Sequence, residues 1–371
     1  MPALHDVISA GNDIEIIGVS RRQPDVLELV GEGLIDRTKI FTMSLDEPSE
    51  YLALRDFVNL SRGEQVLIYL SVPPGASADI VDFLGQAGFN TPNVKLLFEK
   101  PFGFEYESAK DFLGRTAKYF SEKQIFRIDH YAAKEIAKRL IELRYSAEGH
   151  HRKWSSQSIR SVEILATETI GIEGRAGFYE QTGALRDFVQ GHLMQLLSLV
   201  LMDIPDGVTS SEIPKYRARA MNEIVPANPD LSVRAQYEGY ETEVNNPGSE
   251  VETFVTLHLT SENPNWHDTD VILTTGKAMD VKRSQIVITY RDGVKEIFDE
   301  TEVLPIDGSR KLDAYERVLI DAIQGNKMVF TSGEEVLRSW QILAPLQEAW
   351  NMNLIPLRTY RQGSKIDTVL E

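Results

Sequence analysis

The sequence predicts an α/β chain in two parts: a parallel-sheet domain over residues 1–129, then an α+β domain with an antiparallel sheet over residues 130–371. Three observations carry this expectation. Up to residue 128, short apolar runs alternate with amphipathic segments, the pattern of βαβ units. Those runs are continuous rather than alternating, as in strands covered on both faces. Beyond residue 130 the interleaving stops, and longer helical periods stand apart from clustered strand-like runs. A chain of 371 residues also exceeds the usual size of one domain.

Taken in order, strands are expected at residues 14–19, 40–44, 66–71, 94–99 and 124–128. Helical periods fall between them at 26–34, 51–60, 78–87 and 107–120. A helix is expected after Asp129, followed by a strand at 159–166 and a long helix over 182–202. Further strands are expected at 254–259, 270–273 and 285–290, and helices at 314–323 and 332–350. The tail from residue 358 has no clear period.

Composition bounds the function. A formal charge of −17 lacks the basic stripe that nucleic-acid binding requires. Any phosphate must therefore be met by a local cluster of Lys, Arg and His. Without cysteine there is no disulfide, thiolate nucleophile or cysteine-bound zinc. No metal site is expected, and His150-His151 reads as a loop. The first residues lack the blocks of a signal peptide, and the apolar run 193–202 is too short to cross a bilayer. A cytoplasmic protein without membrane contact is the expectation.

Four stretches carry chemistry. In Arg127-Ile128-Asp129-His130-Tyr131-Ala132-Ala133-Lys134-Glu135, Asp129 stands between strand and helix, the place of an N-cap. A helix N-terminus favours an anion. His130 and Lys134, four apart, would share a helix face there, and Tyr131 adds a donor. Together they could hold a phosphate monoester; an ordinary capped surface helix is the plainer alternative. In Glu99-Lys100-Pro101-Phe102-Gly103, Lys100 falls beyond a strand's carboxyl end, where ligands of open α/β sheets collect. Pro101 restricts Lys100 to extended geometry, and Ser71-Val72-Pro73-Pro74 ends the neighbouring strand similarly.

The third stretch is Gly183-Ala184-Leu185-Arg186-Asp187-Phe188-Val189-Gln190-Gly191-His192. Leu185, Val189, His192 and Leu196 recur at helical spacing, so His192 is expected to point inward. A lone inward histidine is more often a satisfied core residue. As a base it needs a carboxylate on its other ring nitrogen, for which Asp129 and Asp187 are candidates. Asp187, five residues earlier, would share an α-helical face with His192 poorly. The fourth stretch, Thr275-Gly276-Lys277-Ala278-Met279-Asp280-Val281-Lys282-Arg283, is either a cationic contact or a solvated turn.

These stretches, with Glu168-Thr169-Ile170-Gly171-Ile172-Glu173-Gly174-Arg175 and Asp313-Ala314-Tyr315-Glu316-Arg317, stand in the order found in glucose-6-phosphate dehydrogenases. The chain resembles that family over most of its length. The resemblance implies oxidation of D-glucose 6-phosphate to 6-phosphogluconolactone with reduction of NADP, in the oxidative pentose phosphate pathway. It makes His192 the base for the C1 hydroxyl and Asp129 the carboxylate that stabilises the imidazolium. It assigns His130, Tyr131 and Lys134 to the substrate phosphate, and Glu168, Asp187, Lys277 and Lys282 to sugar hydroxyls or phosphate. Lys100 would bridge substrate and cofactor beside Pro101, and Arg21, in Gly18-Val19-Ser20-Arg21-Arg22, would contact the 2′-phosphate of NADP.

The resemblance also implies two departures. The first domain would be an incomplete Rossmann-like domain, with the first strand and glycine-rich loop not preceding Met1. The chain would also be shorter than the family between Arg291 and Asp313. A homo-oligomer, dimer or tetramer, is implied. The alternative is a catalytically silent sugar-phosphate-binding paralogue that has lost dinucleotide binding.

Overall fold

The computed structural model describes residues 2–60, 63–72, 75–129, 131–132, 134–145, 154–205, 208–300 and 312–371. The chain divides into two compact units. The first comprises Met1–Gly103, Glu107–Ala133 and Leu304–Ser332; the second comprises Phe104–Tyr106, Lys134–Val303 and Gly333–Glu371. The single cut expected after Asp129 is therefore replaced by a division in which a late segment returns to the first unit.

In the first unit, β1 (Ile16–Ser20) pairs in parallel with β2 (Thr38–Thr42). A second parallel ladder joins β3 (Val66–Leu70), β4 (Val94–Phe98) and β5 (Ile125–Ile128). Crossover helices such as Ala76–Gln86 separate these strands, as parallel neighbours require. All four residues of β5 and four of the five in β4 are buried, which is why these runs read as continuously apolar. The expected single sheet is present as two, since β1 and β3 share no ladder among the described residues. The expected helix over 26–34 divides into Val26–Val30 and a tighter 3₁₀ segment, Glu32–Arg37.

The second unit is built on β6 (Ile159–Thr167), β7 (Ser232–Tyr237), β8 (Phe254–Leu259), β9 (Asp270–Gly276), β10 (Arg283–Tyr290) and β11 (Lys295–Asp299). The chain then crosses back: β12 (Phe330–Thr331) adds antiparallel to β5 in the first unit. Finally β13 (Leu357–Tyr360) completes a seven-stranded sheet of order β11-β10-β6-β9-β8-β7-β13. This sheet is mixed rather than purely antiparallel, because β6 pairs with β9 and β7 with β13 in parallel.

A helical run from Ala176 to Leu201 packs on β6 and β9 of this sheet. Every residue of its last part, Met194–Leu201, is buried, so a helix apolar all round is core rather than membrane span. Each fully buried leucine there contributes about 2 kcal/mol of transfer free energy. Among the described residues, no helix is long and apolar enough to cross a membrane.

Candidate active site

The parallel register of β6 and β9 builds the first part of the site in the second unit. Thr167 lies opposite Gly276, so the next residues, Glu168 and Lys277, emerge side by side at the two carboxyl ends. Glu168 N–H donates to Gly276 O at 2.9 Å, and the Lys277 ammonium donates to the Glu168 carboxylate. Lys277 is only 2% exposed, so the solvated turn considered for this stretch does not hold at Lys277, although Asp280, Val281 and Lys282 are exposed. Its ammonium lies 5.4 Å from the Tyr179 ring centroid and 5.6 Å from that of Phe188. Gly276 has to be glycine: a Cβ there would sit 2.7 Å from the Phe254 ring.

The helical run supplies the second part. Gly183, at φ 61° and ψ −178°, breaks the α-helix Ala176–Ala184 in a conformation that L side chains avoid. From Leu185 to Leu193 the chain is a π-helix. That turn is wider, with bonds from i to i+5, so residues five apart come round close to one another. The α-helical spacing argument against Asp187 and His192 therefore does not apply to this segment. His192 is buried, as its spacing implied, and its ring meets Phe188 edge to face at 5.4 Å. Burial, then the charge of Asp187, pushes the Tyr179 hydroxyl well above its ordinary range. Glu168, Lys277, Tyr179, Phe188 and His192 thus form one chain of contacts, and Asp187 acts on it through its charge.

Lys134, also in the second unit, pairs with Glu300 at 2.6 Å. Burial, the largest single influence, would raise the Glu300 carboxyl, but the bond and charge of Lys134, with Ser284 and Lys282, together outweigh it and hold the group below the usual carboxylate range. Lys282 adds to that positive field and is exposed.

In the first unit, Asp129 is buried but caps no helix. Its Oδ1 accepts the Tyr131 N–H at 2.9 Å and its carbonyl the Ala132 N–H at 3.1 Å, closing a tight turn. The helix begins only at Glu135, so Lys134 precedes it rather than lying within it. Tyr131 is buried. Lys100 is half-buried beyond the end of β4, and its peptide bond to Pro101 is cis. Arg21 is exposed just past the end of β1. His130, Pro73, Pro74 and the pair His150-His151 lie outside the described residues.

Comparison with known proteins decides the family. The glucose-6-phosphate dehydrogenase NAD-binding domain matches residues 19–139, and the C-terminal domain of the same family matches 141–309 and 304–368. The chain belongs to the glucose-6-phosphate dehydrogenase family. It is 31% identical to glucose-6-phosphate 1-dehydrogenase of Chlamydia trachomatis serovar D, covering 80% of this chain and 82% of that protein. To the Gluconobacter oxydans enzyme it is 29% identical over 442 aligned positions, 98% of this chain and 90% of that one. The crystal structure of glucose-6-phosphate 1-dehydrogenase from Mycobacterium avium superposes with a TM-score of 0.84 at 25% identity, covering 98% and 90%.

The two C-terminal stretches of this glucose-6-phosphate dehydrogenase match meet near residues 304–309, inside the interval where the sequence is expected to be short. Tyr179 and Phe188, two members of the group of contacts at the site, were not legible beforehand, because in the sequence they are ordinary helix residues.

Proposed function

We propose that this protein oxidises D-glucose 6-phosphate at C1 to 6-phosphogluconolactone with NADP as acceptor. The observation that carries the reading is the chain of contacts from Glu168 through Lys277 and Phe188 to His192, in a protein of this family. The His192 imidazole takes the proton of the C1 hydroxyl, work suited to a side chain that titrates near neutral pH. Asp187 and Glu168 accept hydrogen bonds from sugar hydroxyls, and Lys277 fixes the charge balance beneath them. Lys134, Lys282, Tyr131 and His130 are assigned to the phosphate, and Asp129 keeps its catalytic carboxylate role by resemblance alone. When bound, the nicotinamide ring supplies the acceptor for the C1 hydride.

Arg21 favours NADP over NAD, because an exposed guanidinium past a parallel strand can grip a 2′-phosphate through two bonds. Lys100 and Pro101 stand at the equivalent end of β4 and are placed beside the cofactor in this reading. A homo-oligomer is part of the same proposal.

The test is steady-state reduction of NADP by the full chain with glucose 6-phosphate. Turnover is expected, and His192→Asn lowers kcat by about 10²- to 10⁴-fold, the usual worth of a positioned base. A variant that keeps the parental kcat removes His192 from the chemistry. Turnover with another sugar phosphate but not with glucose 6-phosphate overturns the substrate.

A further inference from the structure

We infer that Glu252, with Thr253 beside it, is the positioning residue that keeps the His192 segment and the Lys277 turn in fixed relation. The inference rests on the reading of His192 and Lys277 given above, and concerns residues that touch neither substrate nor cofactor.

Glu252 is 6% exposed and lies at the start of the π-helical segment. Its Oε1 accepts the Leu185 N–H at 2.9 Å, and its backbone carbonyl accepts the Ala184 N–H at 3.0 Å. Those amides need an outside acceptor, because Gly183 interrupts the helical ladder that would otherwise supply one. The carboxylate also fits against Gly183 so closely that a Cβ there would meet it at 2.4 Å. Side chain, glycine and wide turn therefore form one unit of local structure. Asp187 and His192 follow within that turn.

The adjoining residue reaches the other half of the site. Thr253 O accepts the Lys277 N–H at 2.9 Å. The Tyr360 hydroxyl donates to Lys277 O at 2.6 Å and lies 2.9 Å from Thr253 Oγ1. One dipeptide thus grips the backbone at 184–185 with one residue and at 277 with the next. Glu252 is a costly choice for this place, because burial strongly disfavours an ionised carboxyl and raises its pKa. Among the described residues no salt bridge to Glu252 offsets that burial; Arg186 and Arg234 act through their charge. What the side chain does provide is an acceptor for an amide that an apolar residue would leave unmet, at a cost of about 1–3 kcal/mol.

The experiment compares Glu252→Ala, Glu252→Gln and Leu343→Ala in the full chain. Leu343 is fully buried in the second unit, away from this dipeptide in the sequence, and controls for lost stability. For Glu252→Ala, kcat/KM is expected to fall about 30- to 100-fold, mostly in kcat, the scale of a displacement near 1 Å. Glutamine keeps the acceptor and is expected to recover most of that loss. Leu343→Ala is expected to lower the unfolding midpoint while holding kcat/KM near the parental value. Parental kinetics in Glu252→Ala, no recovery with glutamine, or an equal kinetic loss in Leu343→Ala would each overturn the inference. If the alanine variant does not fold, Glu252→Asp, one methylene short of Leu185, takes its place with the same outcomes. Calorimetric binding of glucose 6-phosphate without cofactor is run alongside. Weakened binding in Glu252→Ala but not in Leu343→Ala supports the inference even if the assignment of His192 as base fails, and unchanged binding in that event overturns it.

Discussion

At the scale of single residues, the carboxylate at 300 offers the sharpest test, because it sits on a cation assigned to the substrate phosphate. Glu300 and Lys134 are 2.6 Å apart with side chains 38% and 26% exposed, so their pairing is worth about 0.2–1 kcal/mol. A phosphate entering that place must displace the carboxylate. Glu300→Gln is therefore expected to lower KM for glucose 6-phosphate by up to about fivefold at neutral pH, with kcat little changed. The sign with pH follows from the folded state favouring the ionised form. The pairing is present above the usual carboxylate range and is lost as pH falls through the depressed native value. The difference between parent and variant should thus vanish in acid, as KM measured across pH can show. An unchanged or higher KM for the variant would mean that Glu300 aims Lys134 rather than competing for it. At this scale Glu168 and Lys277 were named as site residues only through the family resemblance, and their pairing, which follows from strand register, was not legible beforehand. Nor was the relation of Asp187 to His192, because spacing arguments assume an α-turn and nothing in the local composition announces a π-turn.

At the scale of elements, the strands that sequence reasoning found are those with an apolar run that stands out in the sequence. β7 escaped because Arg234 and Gln236 take buried places in Ser232–Tyr237 and erase its apolar signature. Those polar groups are met locally: Arg234 Nε donates to Ile355 O at 3.0 Å, and Gln236 Nε2 to Ser249 O at 2.9 Å. β11 and β13 are edge strands with exposed polar residues, so neither shows a buried face in the sequence. The helix Gly333–Asn351 was readable from its period, whereas Ile213–Asn222, which packs against it, was not. Between the two lies Arg217 paired with Glu335 at 3.0 Å, both side chains fully buried. Removing one partner strands a buried charge, so Glu335→Ala should destabilise the protein by about 3–5 kcal/mol. Replacing both with apolar residues of similar volume, Arg217→Met with Glu335→Leu, should recover most of that loss. Urea unfolding of the single and double variants reads the difference; a double variant as weak as the single would show that this contact depends on its charges.

At the scale of the whole molecule, the least legible feature was the return of residues 304–332 to the first unit. The helix Ala314–Gln324 gives no sign in its own period of which sheet it will cover. Its placement follows from tertiary contacts: Lys95 Nζ donates to Ala322 O at 2.7 Å and Ile323 O at 2.9 Å, closing the C-terminal end of that helix. Phe330 then packs edge to face on Phe126 at 4.9 Å, in a cluster with Leu97, Val318 and Ala322. This segment is what stabilises the far edge of the first unit's sheet, through the pairing of β12 with β5. All four tryptophans, Trp154, Trp266, Trp340 and Trp350, belong to the second unit, so their fluorescence reports that unit alone. Phe330→Ala should cost the first unit about 3–5 kcal/mol by leaving a cavity beside Phe126. The expected result is an early transition in far-ultraviolet circular dichroism, while the midpoint followed by tryptophan fluorescence stays where it was. Two probes shifting together by the same amount would mean that the units unfold as one cooperative body, with residues 304–332 as the covalent reason.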